Sequence, residues 1–392
     1  MGAFPPRPVA EKPTSEESSR MRPRRFRRLI IVVQSILFLA NWFLYETWIV
    51  FHPSLDPRTL AILRVVFPLA ALSFVSASLL AWRYFNPIVR AFYVISAIWV
   101  GLMTFCLFAA ACCWIVLGLA RLTNLQIAPN RIADELFAAA MVMGLYGLIN
   151  AARVRVNRIS IELPDVPQHW RGRVAALVSD MHLGHVRNAG FMRRIVAKVN
   201  QLGPDVVFIA GDMYDGTAAD IGALAEPLSA LSAPLGAFFV TGNHEEFTSR
   251  AKYLQAVSQM GVRVLNNEKV ELDGLQIVGV HYRETIDPGR FRAILQGASI
   301  SRERASVLLV HAPHRLPIAE EAGISLQLCG HTHGGQFPPA SWITSRVYGR
   351  YVHGLHRFGR LLVFTNWGVG TWGPPLRVGT NPEIVLVTFA SS

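Results

Sequence analysis

Beyond a polar, Arg-rich tail, apolar residues dominate positions 29–151 and then give way to short, patterned segments. Four long runs stand out, at residues 29–51, 60–82, 92–120 and 136–151. About 20 consecutive apolar residues carry a helix across the hydrocarbon core, and the first three runs meet that length. Glu46 and Arg64 are their notable charges, and the third run has none. The fourth run is shorter; with it, the pattern predicts four membrane spans. Trp42, Trp48, Trp82, Trp99 and Tyr84 include several residues near span ends, where amphipathic rings favour the interface.

Beyond Arg158 the period changes. Residues 159–163 alternate apolar and polar, as a half-buried strand does, and Pro164 and Pro167 end the segment. Wholly apolar runs at 174–179 and 206–210 predict buried strands. Phe191, Ile195, Val199 and Leu202 recur at helical spacing within 188–202. Further helices are predicted over 218–231 and 253–260. Strands are predicted at 238–241, 262–265, 275–280, 307–310, 326–328, 361–365 and 384–389. Strands alternating with helices, then clustered strands, predict an α/β domain of two packed sheets with helices outside. The chain thus divides into a basic tail (1–28), a transmembrane helical region (29–151) and an α/β domain (152–392). The tail before Arg22 is rich in Pro, Glu and Ser and is expected to be disordered.

Composition agrees with a membrane protein. Hydrophobic residues make up 52% of the 392 positions and the mean hydropathy is +0.32, too apolar for a wholly soluble chain. The net charge of +12 admits nucleic acid, anionic lipid or a phosphate-bearing substrate as partner. Many of the arginines flank the apolar runs, so the bilayer accounts for part of that charge. No basic helix is interleaved with aromatics and no nucleic-acid motif occurs, so no nucleic acid is expected as partner. Cys106, Cys112, Cys113 and Cys329 form no disulfide framework, which fits a reducing compartment for the C-terminal domain.

The positive charges also predict orientation. Arg22, Arg24, Arg25, Arg27 and Arg28 precede the first span, Arg83 and Arg90 lie between the second and third, and Arg153, Arg155 and Arg158 follow the fourth. The opposite loops hold only Arg58, and Arg121 with Arg131. Both termini are therefore expected in the cytoplasm, unless the fourth run fails to cross, which would put the domain outside. The first run exceeds a signal-peptide core and further spans follow it directly, so it is expected to be retained.

Five segments set metal-type ligands just after predicted strands. They are Asp180-Met181-His182, Gly211-Asp212-Met213-Tyr214-Asp215, Gly242-Asn243-His244-Glu245, His311, and Gly330-His331-Thr332-His333. Singly, each has an ordinary explanation as a turn, a surface pair, a helix cap or a core histidine. In order, and all at carboxyl ends of strands where α/β sheets gather their sites, they point to a two-metal hydrolytic centre.

These segments resemble the calcineurin-like metallophosphoesterases over roughly residues 156–390. The resemblance implies a four-layer α/β/β/α sandwich and two divalent ions (Mn, Fe, Zn or Mg). It implies Asp180, His182 and His333 on one ion, Asn243, His311 and His331 on the other, and Asp212 bridging. His244 would be the general acid, with Asp215 orienting it and keeping it charged; Glu245 is a second nearby acid. His185, His281, His314, His353 and His356 match no ligand position, and His281 stands where related proteins often carry an acid. The stretches Gly330–Gln336, Trp367-Gly-Val-Gly370, Pro375-Leu-Arg377 and Pro382-Glu-Ile384 are similar to a membrane-associated subgroup that includes UDP-2,3-diacylglucosamine hydrolases of lipid A synthesis. That likeness implies a bacterial inner or plasma membrane and a phosphate-bearing small or lipid-linked substrate. Gly334 and Gly335 would let backbone approach the ions, and Arg377 is a candidate phosphate fork or a structural salt bridge.

The alternative is a non-catalytic membrane sensor or scaffold that uses the fold to bind a ligand. His244 and Asp215 count against it, since binding alone needs no general acid. Protein phosphatase activity is disfavoured because residues 211–216 lack the arginine that those enzymes carry after the second Asp. Every residue of this scheme lies after Ser179, which predicts that the spans position the site without forming it.

Overall fold

The computed structural model describes residues 23–247 and 250–391. The tail expected to be disordered lies outside the described residues up to position 22; from Pro23 onward the chain is already helical. Four long helices come first: α1 (Pro23–Phe51), α2 (Pro57–Arg83), α3 (Pro87–Leu122) and α4 (Pro129–Ala152). All four are long and apolar enough to cross a membrane. The shortest apolar run belongs to a helix of 24 residues, because the helix starts seven positions before that run, at Pro129. Their starts are written locally. Asp56 accepts from the backbone N–H of Arg58 and Thr59, Asn86 accepts from Val89, and a proline stands at the first turn of each helix.

The α/β domain follows α4 directly. Its elements are β1 (Arg155–Leu163), β2 (Val174–Val178), α5 (Ala189–Leu202), β3 (Val206–Ala210), α6 (Ile221–Ala225), β4 (Ala237–Val240), α7 (Arg250–Gln259) and β5 (Arg263–Val264). The second half adds β6 (Glu268–Leu272), β7 (Leu275–Gly279), α8 (Tyr282–Ile286), α9 (Pro288–Gly297), β8 (Ser306–Leu309), α10 (Leu316–Glu321), β9 (Leu326–Cys329), α11 (Ala340–Tyr348), β10 (Gly354–Phe358), β11 (Leu361–Thr365) and β12 (Glu383–Ser391). One six-stranded sheet has the order β1-β12-β2-β3-β4-β5, the other β10-β11-β9-β8-β7-β6.

Alternation along the strands builds four layers. Ala175, Leu177, Val206 and Phe208 of the first sheet meet Ile277, Val307, Leu326 and Phe364 of the second in a shared core. The opposite residues of β2 and β3, such as Val178 and Ile209, pack under Phe191, Ile195 and Val199 of α5. Val278, Leu308 and Val363 pack under Phe291 of α9 and Ile318 of α10. This is the expected α/β/β/α sandwich.

Several local expectations change. The helix expected over 218–231 is broken into α6 and a 3-10 turn, Glu226–Ala230, with Pro227 at the turn's start; proline lacks the N–H that a continuous helix would use there. Strands β6 and β10 lie at sheet edges and carry half-exposed, charged residues, so their apolar pattern is weak. Asp273-Gly274, both at positive φ, make the tight hairpin from β6 to β7.

Helices and domain are packed together. The backbone N–H of Arg377 donates to Gly147 of α4, and Asn150 donates to the carbonyls of Arg377 and Thr380. Leu376 and Phe337 join the apolar core of α1, α3 and α4. His185 bonds the Tyr84 carbonyl at 3.1 Å, at the end of α2.

Candidate metal centre

Asp180 and Asp212 each stand two residues past the end of a strand of the first sheet, β2 and β3, and His311 and His331 two residues past β8 and β9 of the second. Stacking the sheets brings their carboxyl ends together. The loops are cross-tied there: the N–H groups of Asp180, His182 and Leu183 donate to the carbonyls of Gly211, Asp212 and Met213. Asp180, His182, Asp212, His331 and His333 all have positive φ, between 49° and 74°. Side-chained residues rarely adopt that conformation, and it is held here by the surrounding packing. A Cβ on Gly330 would stand 2.3 Å from an Asp180 oxygen, and one on Gly242 2.1 Å from Asp212. Only glycine allows these loops so close to the carboxylates.

The expected ligands converge. Asp180, His182 and His333 form one group and Asp212, His311 and His331 another, each with its donor atoms within 4.8 Å of one another. His182 Nε2 is 2.9 Å from His333 Nε2 and 3.8 Å from Asp212 Oδ2. His333 Nε2 is 3.4 Å from Asp180 Oδ1. On the other side, His311 Nε2 lies 3.2 Å from both Asp212 Oδ2 and Asn243 Oδ1, and 3.1 Å from His331 Nδ1. His311 Nδ1 donates to the Ala210 carbonyl, which turns Nε2 to the site. Of these residues only Asn243 and His331 are half-exposed, so the centre opens on their side.

Burial and charge work against each other here. Burial pushes the Asp180 carboxyl up to about 6 against the pull of His311. Burial acts the same way on Asp212, but His311 and His244 outweigh it and hold that carboxyl well below the usual range. His311 is lowered by burial, yet Asp212 and Asp180 lift it to about 9. Burial first, then neighbouring imidazoles, drive His182 and His333 well below the ordinary histidine range, and His331 to about 3. The neutral rings of His182, His331 and His333 therefore face the carboxylates, and the charge of His311 stands where a cation would be. A cation between them would satisfy all of these lone pairs, so the donor set fits two divalent metal ions.

His244 is buried beside the two groups, with Nε2 4.0 Å from Asp212 Oδ2. Its Nδ1 donates to the Asp215 backbone carbonyl at 2.9 Å, while the Asp215 carboxylate is 3.9 Å away and 3.7 Å from His182 Nδ1. The closest hold on His244 is thus the main chain of Asp215, and its carboxyl, raised to about 7 by burial, stands between two rings. Glu245 does not face the centre. Its carboxylate accepts from the N–H groups of Asp212, Tyr214 and Gly242, pinning two ligand loops together.

Arg377 does not present a phosphate fork. It is fully buried, and its guanidinium stands 3.0 Å from His333 Nδ1 and donates to the carbonyls of His333, Trp367 and Gly370. Gly334 and Gly335 pack against Trp367 and the backbone of Ala340, away from the ligand cluster. The five unassigned histidines are structural: His281 accepts from Thr241, His314 bonds Thr285, His353 bonds Glu383 and stacks on Trp367, His356 bonds the His353 carbonyl, and His185 ties the domain to α2. Around the centre stand aromatics that no motif marks. Tyr282 is 5.7 Å from His311 and Tyr348 6.0 Å from His331; Phe247 is 4.6 Å and Trp372 6.3 Å from His244, between ring centroids. They lie in segments without recognisable periodicity, so sequence held no signal for them.

Residues 174–335 match the family model of calcineurin-like phosphoesterases. A zebrafish (Danio rerio) protein described as a transmembrane protein with metallophosphoesterase domain is 30% identical over 63% of this chain. The match spans 60% of that relative's own length. An uncharacterized metallophosphoesterase of Campylobacter jejuni is 28% identical over 73% of this chain and 79% of its own. Another, from Aquifex aeolicus, is 30% identical over 64% of this chain and 97% of its own. With the sandwich fold and the clustered ligands, these matches mean that the chain belongs to the calcineurin-like phosphoesterase family.

Proposed function

We propose that this chain is a membrane-anchored phosphoesterase that hydrolyses a phosphate ester or pyrophosphate bond with two divalent ions. The convergence of Asp180, His182 and His333 on one side of Asp212, and of Asn243, His311 and His331 on the other, carries this reading. In it, the first three residues hold one ion, the second three hold the other, and Asp212 serves both. When bound, such a pair lowers the pKa of a water and clamps phosphate oxygens. Asn243 is neutral, which limits the negative charge that an anionic substrate must meet.

The protein's own proton chemistry falls to His244. Its Nδ1–H is committed to the Asp215 carbonyl, so Nε2 is the atom that faces the reacting group. A proton there would pass to the leaving oxygen as the bond to phosphorus breaks. Glu245 and Arg377 act on position alone: one fixes the loops of Asp212 and Asn243, the other fixes the loop of His333 through its carbonyl and those of Trp367 and Gly370.

The four helices cross the bilayer in this proposal, with the tail and the domain in the cytoplasm, and the substrate is lipid-linked. A UDP-2,3-diacylglucosamine is one such substrate. Purified full-length protein loaded with Mn should release product from model diesters, nucleotides or UDP-diacylglucosamine. If every such assay stays at the no-protein background while metal is bound, the chain is a binding protein and the catalytic reading fails.

A further inference from the structure

Helix α11 follows the last ligand motif and buries none of its residues. Trp342, Ile343 and Val347 are 61%, 63% and 68% exposed. They share one face with the exposed Arg346, at spacings of one, four and five residues; exposed Arg350 lies just beyond. Large apolar side chains are rarely left together in water, and a short helix whose exposed face carries Trp342, Ile343 and Val347 beside arginines suits a membrane surface.

The position of α11 names what covers it. The Trp342 ring lies 5.8 Å from Phe108 of α3, and Phe337, just before α11, lies 6.0 Å from Phe105. Phe108 is about 27 Å along α3 from Arg90, at ~1.5 Å per residue, and Arg90 itself bonds the domain at the His185 carbonyl. The helix therefore sits alongside the apolar bundle, well above the level where the domain grips the start of α3. At its other end, Tyr348 is 6.0 Å from the ring of His331. Gln336 exchanges two hydrogen bonds with Trp372, 59% exposed, whose ring faces His244. One apolar margin thus runs from the helix bundle to the half-exposed side of the metal centre.

We infer that the exposed face of α11 is covered by the bilayer beside α3 and that the metal centre opens onto the membrane along this margin. The partner is the lipid surface itself, with Arg346 and Arg350 toward anionic head groups. Resting on the catalytic reading above, the substrate class is a phosphorylated amphiphile whose hydrocarbon stays in the bilayer while its phosphate reaches Asn243 and His331.

Two measurements on the full chain in phosphatidylcholine–phosphatidylglycerol nanodiscs test this. A nitroxide at Ile343→Cys, in a Cys112→Ala background, should meet dissolved oxygen more than an aqueous nickel chelate. The same label at Arg171→Cys, at the far end of β2, should show the reverse. Aqueous accessibility at both positions overturns the inference, whether or not the protein hydrolyses anything. The second measurement compares substrates. Ile343→Glu with Val347→Glu should leave turnover of a soluble ester within about twofold and lower that of a vesicle-embedded lipid phosphate at least about tenfold. Equal effects on both substrates overturn the lipid delivery. No hydrolysis of either by wild type sinks the catalytic reading, and the nitroxide result still decides the docking.

Discussion

The guanidinium of Arg377 stands 3.0 Å from Nδ1 of His333, behind the ring whose Nε2 faces Asp180. Arginine only donates, so a ring that ligates through Nε2, with its proton on Nδ1, is not held by this contact; Arg377 holds His333 through the carbonyls of His333 itself, Trp367 and Gly370, which fix the loop behind the ring. Partners of this kind, behind a metal-binding ring, typically change affinity by about 10–100-fold when removed. Arg377→Ala should therefore retain metal more weakly by that order under chelator titration. Arg377→Lys should restore little of it, because a point charge cannot also reach three carbonyls. Wild-type retention in both variants would remove Arg377 from the account.

Asp212 lies between the two ligand groups. Full-length protein should carry about two divalent ions per chain, read by elemental analysis. Asp212→Asn should lose at least one, and full occupancy in that variant would rule out a bridging carboxylate.

The His244 ring stands 4.5 Å from that of His182, and its backbone N–H donates to Asp212 Oδ1 at 2.9 Å. His244→Ala should cut turnover by roughly 10²–10⁴-fold with metal content near normal. The loss should grow as the leaving group becomes more basic, since a general acid assists departure. A loss independent of leaving group would argue for a purely structural ring.

The expectation that the spans only position the domain needs amendment. No described residue of α1–α4 is among the clustered ligands, but α4 holds the segment that carries Arg377. A Cβ on Gly147 would stand 2.7 Å from Leu376 and 2.9 Å from Val378. Gly147→Val should displace that segment, at an overpacking cost of about 1–3 kcal/mol, and weaken metal retention in the same direction as Arg377→Ala. A domain truncated at Arg155 should bind metal less well than the full chain, because Leu376 loses its cover. Equal metal affinity of truncated and full-length protein would restore the simpler division of labour.

Topology has a direct measurement. A reporter active only outside the cell, fused after Arg153, should give no signal if α4 crosses and the domain is cytoplasmic. A strong signal would mean an odd number of crossings.

The sequence by itself determined the four long apolar helices, the strand–helix alternation and the Asp, Asn and His residues that cluster at the strand ends. Their signals are local: an unbroken apolar run, a period of two or of 3.6 residues, and Asp, Asn or His just past a strand end. Val206–Ala210 and Leu361–Thr365 match their predicted bounds because both strands are buried throughout. The edge strands β6 and β10 escaped because all but Val270 of their residues are only partly buried or exposed. What only the tertiary structure decided is how distant side chains are shared. Glu245 became a clamp because its carboxylate meets three N–H groups that stacked loops turn toward it. Arg377 became a buried support because the chain around it folds between α3 and α4, where no solvent or phosphate reaches its guanidinium. Helix α11 matches no element read from the sequence, and its role shows only from its place beside Phe108 and His331. Such roles depend on contacts between residues far apart in the chain, and no local period records them.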